Sequence, residues 1–586
     1  MSTSFVAIAG IDATEASRRL DAAMVWAPQA GEEALRHSAP CGRVHVAARA
    51  SMSDLLRGQP FAVTPTRATV VDGWAVLERG GVPGLASAGD LAAVVDIRAD
   101  GLLAASGFLG VGQLYWARWP IEGGGEALAV GNRLWLVAAA QRGAADGALP
   151  SLDPQMLGWL VSKSRVPFGD ETVAPGVRML GVDEVLRWRR GRVELLRRAP
   201  PRAADAPFDG AREADALVAR MRALGASGAR FRIALTGGKD SRLVFAAARA
   251  AGIVDQIDHA YLKADPGSAD VAIGSALAAQ AGVPFRLEAS PLSAMGPDAL
   301  DRHLALTGAM LGGWDLKAHA AVPRLVGLHG GFGEIYKSHA QPWSHVATPR
   351  PVIGGVLPAR LGWALARRHY AAPGWLDPYG LLRPAVVGRI AATYRAWLDR
   401  CAAEGQSVED LHDRWHRECR MRRWLGQSLQ AGAALAPMVN PLAGHGHLAA
   451  YLGLPLRDRV RQRWHFDTLR HLDESMLRAG LAGDRWARPL RRSTGGTFGA
   501  PLAGKGSVAP QVAFFARHAD AIAAETFGPT DDAFAEVVDV PAAQALVARA
   551  RTGRVVRDVE MALALWTMRR ALRGGWSPVV VTWTTP

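Results

Sequence analysis

The sequence predicts a mixed α/β protein in two parts: a sheet-rich N-terminal region, then a larger region built on a parallel sheet and many helices. Three observations lead there. Short β-prone runs separated by Gly, Pro and Asp fill the first ~200 residues, strand and helix patterns alternate after them, and the text from about Asp298 onward is mostly helical. The chain has 586 residues, 49% hydrophobic and 21% charged, enough apolar material for a sizeable core and too much for wholesale disorder or a collagen-like fibre.

In the N-terminal region the runs RVHVAARA, TVVDGWAVL, AAVVDI, GQLYWARW and NRLWLVAAA read as strands. Between Arg197 and Asp209 the segment RRAPPRAADAPFD combines three prolines with clustered charge and follows neither apolar period, which sets domains of 1–204 and 205–586. Beyond it, DGAREADALVARMRALGASG has a helix-start aspartate, apolar residues at helical spacing and glycines at its end. FRIAL reads as a strand, TGGKDS as a turn, RLVFAAARAAG as a helix, DQIDHAYLKA as a strand and DVAIGSALAAQAG as a helix, the alternation a parallel sheet requires. The uncharged stretch from Trp424 to Leu456 is broken by Gln427, Gln430, Asn440, His445 and three prolines, so it reads as core and not as a membrane span.

Three cysteines, Cys41, Cys401 and Cys419, are too few and too far apart for a disulfide framework or a zinc site, and each is expected to be a small buried hydrophobe. Acidic residues in MSTSFVAIAGIDATEASRRLD stand where a signal peptide needs a basic flank, so a cytoplasmic protein is expected. The 68 basic and 54 acidic residues leave a formal charge of +14, which favours an anionic partner, yet only six lysines are present, among them Lys239, Lys337 and Lys505. Arg414, Arg417, Arg420, Arg422 and Arg423 lie on one predicted helix with Trp415 and Trp424. No nucleic-acid module accompanies them, so an ordinary solvated basic face is expected.

The most informative residues are Thr236, Gly237, Gly238, Lys239, Asp240 and Ser241, between an apolar strand and a helix. Glycines there let the backbone turn tightly, and N–H groups at the helix start form a nest for a pyrophosphate. Thr236 and Ser241 are expected to donate hydroxyl hydrogen bonds, Lys239 to flank the site, and Asp240 to hold Mg²⁺. The hexapeptide fits neither GxxxxGK[ST] nor GxGxxG.

With this loop the chain resembles the asparagine synthetase family, whose ATP-pyrophosphatase loop reads SGGxDS. Gly267-Ser268-Ala269-Asp270 followed by VAIGSALAAQAGVP resembles the family's next strand–loop–helix, residues Leu328 to Tyr336 resemble its SGEGSDELF segment, and Pro437-Met438-Val439-Asn440 falls where it has PFLD. GDLAAVVDI…GFLGVGQLYWARW is similar to the end of its glutaminase domain. The resemblance implies an N-terminal glutaminase-like sandwich of the Ntn type (αββα) ahead of a C-terminal ATP-pyrophosphatase domain, with ATP and Mg²⁺ as cofactors. It also implies that Leu235, Leu262 and Gly331 surround the nucleotide.

The departures narrow the activity. Glutamine-using members begin with a cysteine nucleophile, whereas position 2 here is Ser2, so a glutaminase-like domain without ammonia production is expected. The family's magnesium-binding aspartate aligns with Gly333, leaving Glu334, or else Asp270 or Asp315, to complete the metal shell. Gly330 stands where asparagine synthetases have glutamate and β-lactam synthetases have tyrosine. His329 is a candidate general base beside a structural alternative, and Tyr336 has the same standing. The family's later lysine falls to Arg491, Arg492 or Lys505, in a Gly-rich segment suited to closing over the site.

An amide synthetase without its own ammonia source takes its amine elsewhere. The resemblance therefore points to the lasso-peptide cyclase branch, an ATP-dependent, AMP-forming macrolactam synthetase that joins an Asp or Glu side chain to a peptide's N-terminal amine. Its implied partners are a linear precursor peptide, a leader peptidase and a leader-binding protein, with no nucleic acid. Asparagine synthesis from free ammonia, a β-lactam synthetase and a non-catalytic peptide-binding scaffold remain as alternatives.

Overall fold

A computed structural model of the chain describes residues 2–28, 34–51, 61–72, 93–107, 109–110, 112–144, 146–198, 206–264, 266–288, 292, 295–316, 325–339, 359–434, 437–502, 510–529 and 532–579. In the N-terminal region these form β1 (Ser2–Ala9), β2 (Ala34–Ser38), β3 (Val44–Ser51), β4 (Phe61–Thr64), β5 (Arg67–Asp72), β6 (Ala93–Arg98), β7 (Gly101–Ser106), β8 (Tyr115–Pro120), β9 (Glu126–Gly131), β10 (Val177–Met179), β11 (Glu184–Arg189) and β12 (Arg192–Arg197). Two six-stranded antiparallel sheets result, ordered β10-β8-β9-β1-β3-β2 and β12-β11-β7-β6-β5-β4.

Alternation along β1 shows how one strand serves two layers. Phe5, Ala7 and Ala9 enter the core between the sheets, with Val70, Val95, Ile97 and Leu186 of the second sheet. Val6 and Ile8 face the opposite way, onto α1 (Ala13–Met24) and α2 (Leu134–Arg142). The α1 start is set by Asp12, whose carboxylate accepts from Thr14 N (2.9 Å) and Glu15 N (3.0 Å). The described residues thus form a helix–sheet–sheet stack, and a helical layer on the outer face of the second sheet is not among them.

Two expectations fail here. NRLWLVAAA is the helix α2, closed by Gly143 in the left-handed region (φ 65°). Every residue from Leu134 to Ala140 is buried, so no polar face marks either period and the run is ambiguous by pattern. Cys41 is exposed, while Cys401 and Cys419 are buried as expected, their thiols pushed up to about 12 by that burial. Of TVVDGWAVL, the first four residues lie in β5 and residues 73–77 lie outside the described residues. The same holds for residues 199–205 at the expected boundary.

The C-terminal region opens with α3 (Gly210–Ala226) and then alternates β13 (Phe231–Ala234), α4 (Lys239–Ala250), β14 (Ile257–Leu262), α5 (Ala269–Gln280) and β15 (Phe285–Leu287). With β16 (Val326–Leu328) and β17 (Met438–Val439) these strands make one all-parallel sheet ordered β15-β14-β13-β16-β17. The first strand in sequence is central, and the winding reverses between β13 and β16. That gap is a topological switch point, where open parallel sheets hold ligands at the strands' carboxyl ends. Phe231, Ile233 and Leu235 are fully buried beneath it, each contributing about 1.5–3 kcal/mol by burial.

The remaining helices do not stand apart. α2 shares one continuous core with helices on both sides of the parallel sheet in sequence, including Leu300, Leu398 and the final helix, α7 (Val556–Arg573, numbered after α6, Arg463–Leu472). The helical run from Leu411 to Ala433, widened to π-type turns over His416–Gly426, contradicts the solvated basic face expected of its arginines. Arg414 is bound to Glu404 (2.6 Å) and Glu418 (2.7 Å), and buried Arg422 and Arg423 donate to the carbonyls of Leu180 and Gly169. Arg422 and Arg423 thereby bond the run to the N-terminal region. The described residues of the stretch from Trp424 to Leu456 are mostly buried, as expected, and no described helix is long and apolar enough to cross a membrane.

Burial in this region creates a pH dependence. His412, hydrogen-bonded through Nδ1 to the Tyr370 hydroxyl (2.9 Å), has its pKa pushed down to about 3 by burial and by neighbouring histidines. Its folded value lies below the unfolded one near 6.5, so the unfolded chain binds the extra proton. The neutral ring's contribution is complete above about pH 6.5 and is lost as pH falls toward 3, at about 1.4 kcal/mol per pH unit. Urea denaturation from neutral to mildly acidic pH should show this slope, and His412→Phe should flatten it.

Candidate active site

The loop 235–238 leaves β13 at the switch point and runs directly into α4. Its own atoms account for much of its shape. Thr236 N–H donates to Ser241 Oγ (3.1 Å), Gly238 N–H donates to Thr236 Oγ1 (3.0 Å), and the two hydroxyls lie 3.0 Å apart. The hydroxyls expected to face a ligand are thus engaged in the loop. Neither Gly237 nor Gly238 has positive φ, so the tight-turn argument fails for them; at Gly237 a Cβ would meet Ala482 Cβ at 2.8 Å.

The start of α4 is formed by backbone groups. The α4 N-cap, Gly238, supplies no side-chain hydrogen bond, so the first turn presents its N–H groups and the positive end of the helix dipole. Gly237 N–H is held by Asp270 Oδ1 (2.8 Å) from α5, a carboxylate seated in the nest. Leu235 is a core residue whose N–H bonds Tyr261 O (3.1 Å). Leu262 ends β14, and Gly331 starts the turn after β16.

Lys239 turns away from the nest. Buried to 5% exposure, its ammonium bonds Gln462 (2.8 Å) and Asp484 (2.5 Å) and lies 4.7 Å from the centre of the Trp486 ring. Burial lowers its pKa despite Asp484. It fastens the loop to the 481–486 segment, whose Ala482 N–H also donates to Gly237 O (3.3 Å). Behind that segment lies a cavity of about 210 Å³ lined by Asp484, Trp486, Arg491 and Phe498. Of the three expected later cations, Arg491 therefore borders the site, donating to Trp486 O (3.0 Å), Arg492 is exposed, and Lys505 lies outside the described residues.

Asp240 is held between two partners that the motif did not announce. Lys337 Nζ reaches Oδ2 (2.6 Å), and His465 Nε2, from α6, reaches Oδ1 (2.8 Å). Burial pushes the Asp240 carboxyl up, but the His465 hydrogen bond and the Lys337 charge outweigh it, and its pKa lies below the usual carboxylate value. His465 is fully buried, its Nδ1 has no hydrogen-bond partner among the described residues, and burial lowers its pKa. These contacts assign a neutral ring that donates its Nε2 proton.

The two altered glycines are explained by close approach. A Cβ on Gly330 would stand 2.7 Å from both Asp240 C and Ser241 N, and one on Gly333 would stand 2.5 Å from Asp240 Oδ1. The turn after β16 packs directly on the first turn of α4 with no side chain between. The carboxylate that the family's pattern supplies at Gly333 therefore has no room, and Glu334 is directed instead toward His416 Nε2 (3.7 Å).

This arrangement does not fit magnesium. Both Asp240 oxygens are taken, one by an ammonium that would repel a divalent ion, and among the described residues no group of three or more His, Cys, Asp or Glu is placed to hold a metal. The alternatives are engaged too, Asp270 with Gly237 and Asp315 with Trp424 Nε1 (3.1 Å).

His329 is also corrected. Its Nδ1 accepts from Gly331 N–H (2.9 Å), so a neutral ring carries its proton on Nε2 and cannot accept one there. Tyr336 donates to Leu442 O (2.5 Å), stacks on Trp464 at 4.1 Å and is fully buried, a structural residue. Lys337 had a readable signal, as one of six lysines placed just beyond the altered segment; His465 had none. No family model matches the chain, and no curated protein matches it.

Proposed function

We propose that this protein is an ATP-dependent, AMP-forming amide ligase that closes a macrolactam in a peptide, as lasso-peptide cyclases do. The observation that carries the reading is the TGGKDS loop, which leads into an uncapped helix end at the switch point of a parallel sheet. In this reading the peptide's Asp or Glu carboxylate oxygen attacks the α-phosphorus of ATP and pyrophosphate leaves. The N-terminal amine then attacks the acyl carbon, AMP departs with the carboxylate oxygen, and the amine gives up a proton. The α4 N–H groups bind the pyrophosphate, and Arg491, in the adjoining cavity, is the cation available for the developing charge. No step is assigned to magnesium.

Gly330 bears on the relatives. The tyrosine that β-lactam synthetases carry at this place has no space against Asp240 and Ser241. A precursor peptide, with a leader peptidase and leader-binding protein acting before it, is the partner set this reading expects. Purified protein with a linear core peptide and ATP should yield AMP, pyrophosphate and a product lighter by one water. ATP turnover without mass loss would count against cyclisation, and aspartate plus ammonium in the same assay tests asparagine synthesis.

A second reading has its own support. Lys337 and His465 closed on Asp240 suit a scaffold that holds peptide without turning over nucleotide. Calorimetry with ATP separates the two, since a scaffold of this kind would show no binding.

A further inference from the structure

Away from the nucleotide loop, a cavity of about 600 Å³ opens where the N-terminal region meets the C-terminal helices. Four cations line it, Lys163, Arg165, Arg420 and Arg557, against one acid, Glu560. Glu560 is already spent on Arg165 (2.7 Å). Among the described residues the other three make no ion pair, and Arg420 only lies over the Trp424 ring at 4.3 Å. Partial desolvation at the cavity wall, with Arg557 and Arg165 close by, pushes the Lys163 ammonium below its usual range, although the residue as a whole is exposed. An anion there would relieve both effects.

Shape and backbone agree with a binding role. Arg165 is a non-glycine residue at φ 59°, a conformation costing on the order of 1 kcal/mol and retained at the cavity wall. Tyr379, Pro378 and Trp415 form apolar walls, and the Trp415 ring is anchored by its N–H to Tyr394 Oη (3.2 Å). The free cations come from three separate stretches of chain, so one small anion would leave most of them unpaired. An extended peptide presents carboxylates on alternate residues about 7 Å apart, with apolar faces between.

We infer that this cavity binds an acidic peptide segment, its carboxylates on Lys163, Arg420 and Arg557 and its chain against Tyr379 and Trp415. The inference goes beyond the ligase reading, since it requires neither nucleotide nor bond formation and holds equally for a scaffold. Arg420 and His416 share one helical run, and His416 approaches Glu334, so the run that lines this cavity also reaches the β16 turn.

Fluorescein-labelled hexaglutamate and hexaglutamine, titrated with the full chain without ATP and read by anisotropy, provide the test. Hexaglutamate should bind, hexaglutamine should not, and the Arg420→Gln/Arg557→Gln double variant should weaken binding by at least about tenfold. The Asp240→Asn variant should bind as the wild type does. Should the double variant fail to fold, Lys163→Gln, at an exposed position, is expected to weaken binding by about fivefold. The inference is overturned by equal affinity for hexaglutamine, by no binding, or by charge variants that bind unchanged. Displacement by inorganic phosphate at the peptide's own concentration would also overturn it, in favour of a free-phosphate site.

Discussion

Asp240→Ala is expected to cut release of both AMP and pyrophosphate by a factor of roughly 10², the scale of misplacing a binding group by about 1 Å, because Asp240 positions the first turn of α4. The carboxylate anchors Lys337 and His465 at the first turn of α4, and without it the ammonium and a fully buried imidazole donor lose their partner. Leaving such groups unsatisfied costs about 1–3 kcal/mol, so urea denaturation should show a weaker fold as well. Asp240→Asn separates the two effects. Its amide oxygen can still accept from His465, so most of the stability should remain while the charge opposite Lys337 is gone. Full turnover in either variant would show that the site does not depend on the Asp240 anchor.

Gly330→Ala should be the most damaging single methyl group near the site. Its Cβ would press on Asp240 C and Ser241 N, backbone atoms of α4 that cannot swing aside, and relief requires β13 and β16 to separate. A loss toward the upper end of about 1–3 kcal/mol is expected, with ATP binding lost alongside. Gly327→Ala, in β16 itself, is the control: its Cβ would find Met438 Cγ at an ordinary 3.6 Å, and stability should hardly change. Equal effects at the two positions would show that the contact between the loops is soft.

Much of this was legible in the chain. The strand–helix alternation from Asp209 to Gly282 appears as expected, because parallel strands leave short apolar runs with sharp punctuation, while the short strand β15 was not read. The hexapeptide was found in its expected turn, although the direction of Lys239 was not legible, since it depends on partners more than 200 residues away in sequence. The same distance hid His465. α2 was misread because total burial erases the polar face that pattern reading needs. Arg422 and Arg423 of the 411–433 run were misjudged because their partners are carbonyls, which no charge count registers.

The core that α2 shares with α7 has a practical corollary. Cutting the polypeptide near 204/205 would strip apolar surface from both pieces, so neither should survive as an independent soluble module. Heat or denaturant should melt the molecule in one cooperative transition, and a fragment carrying only the amino-terminal sandwich should aggregate unless its missing half is supplied in trans.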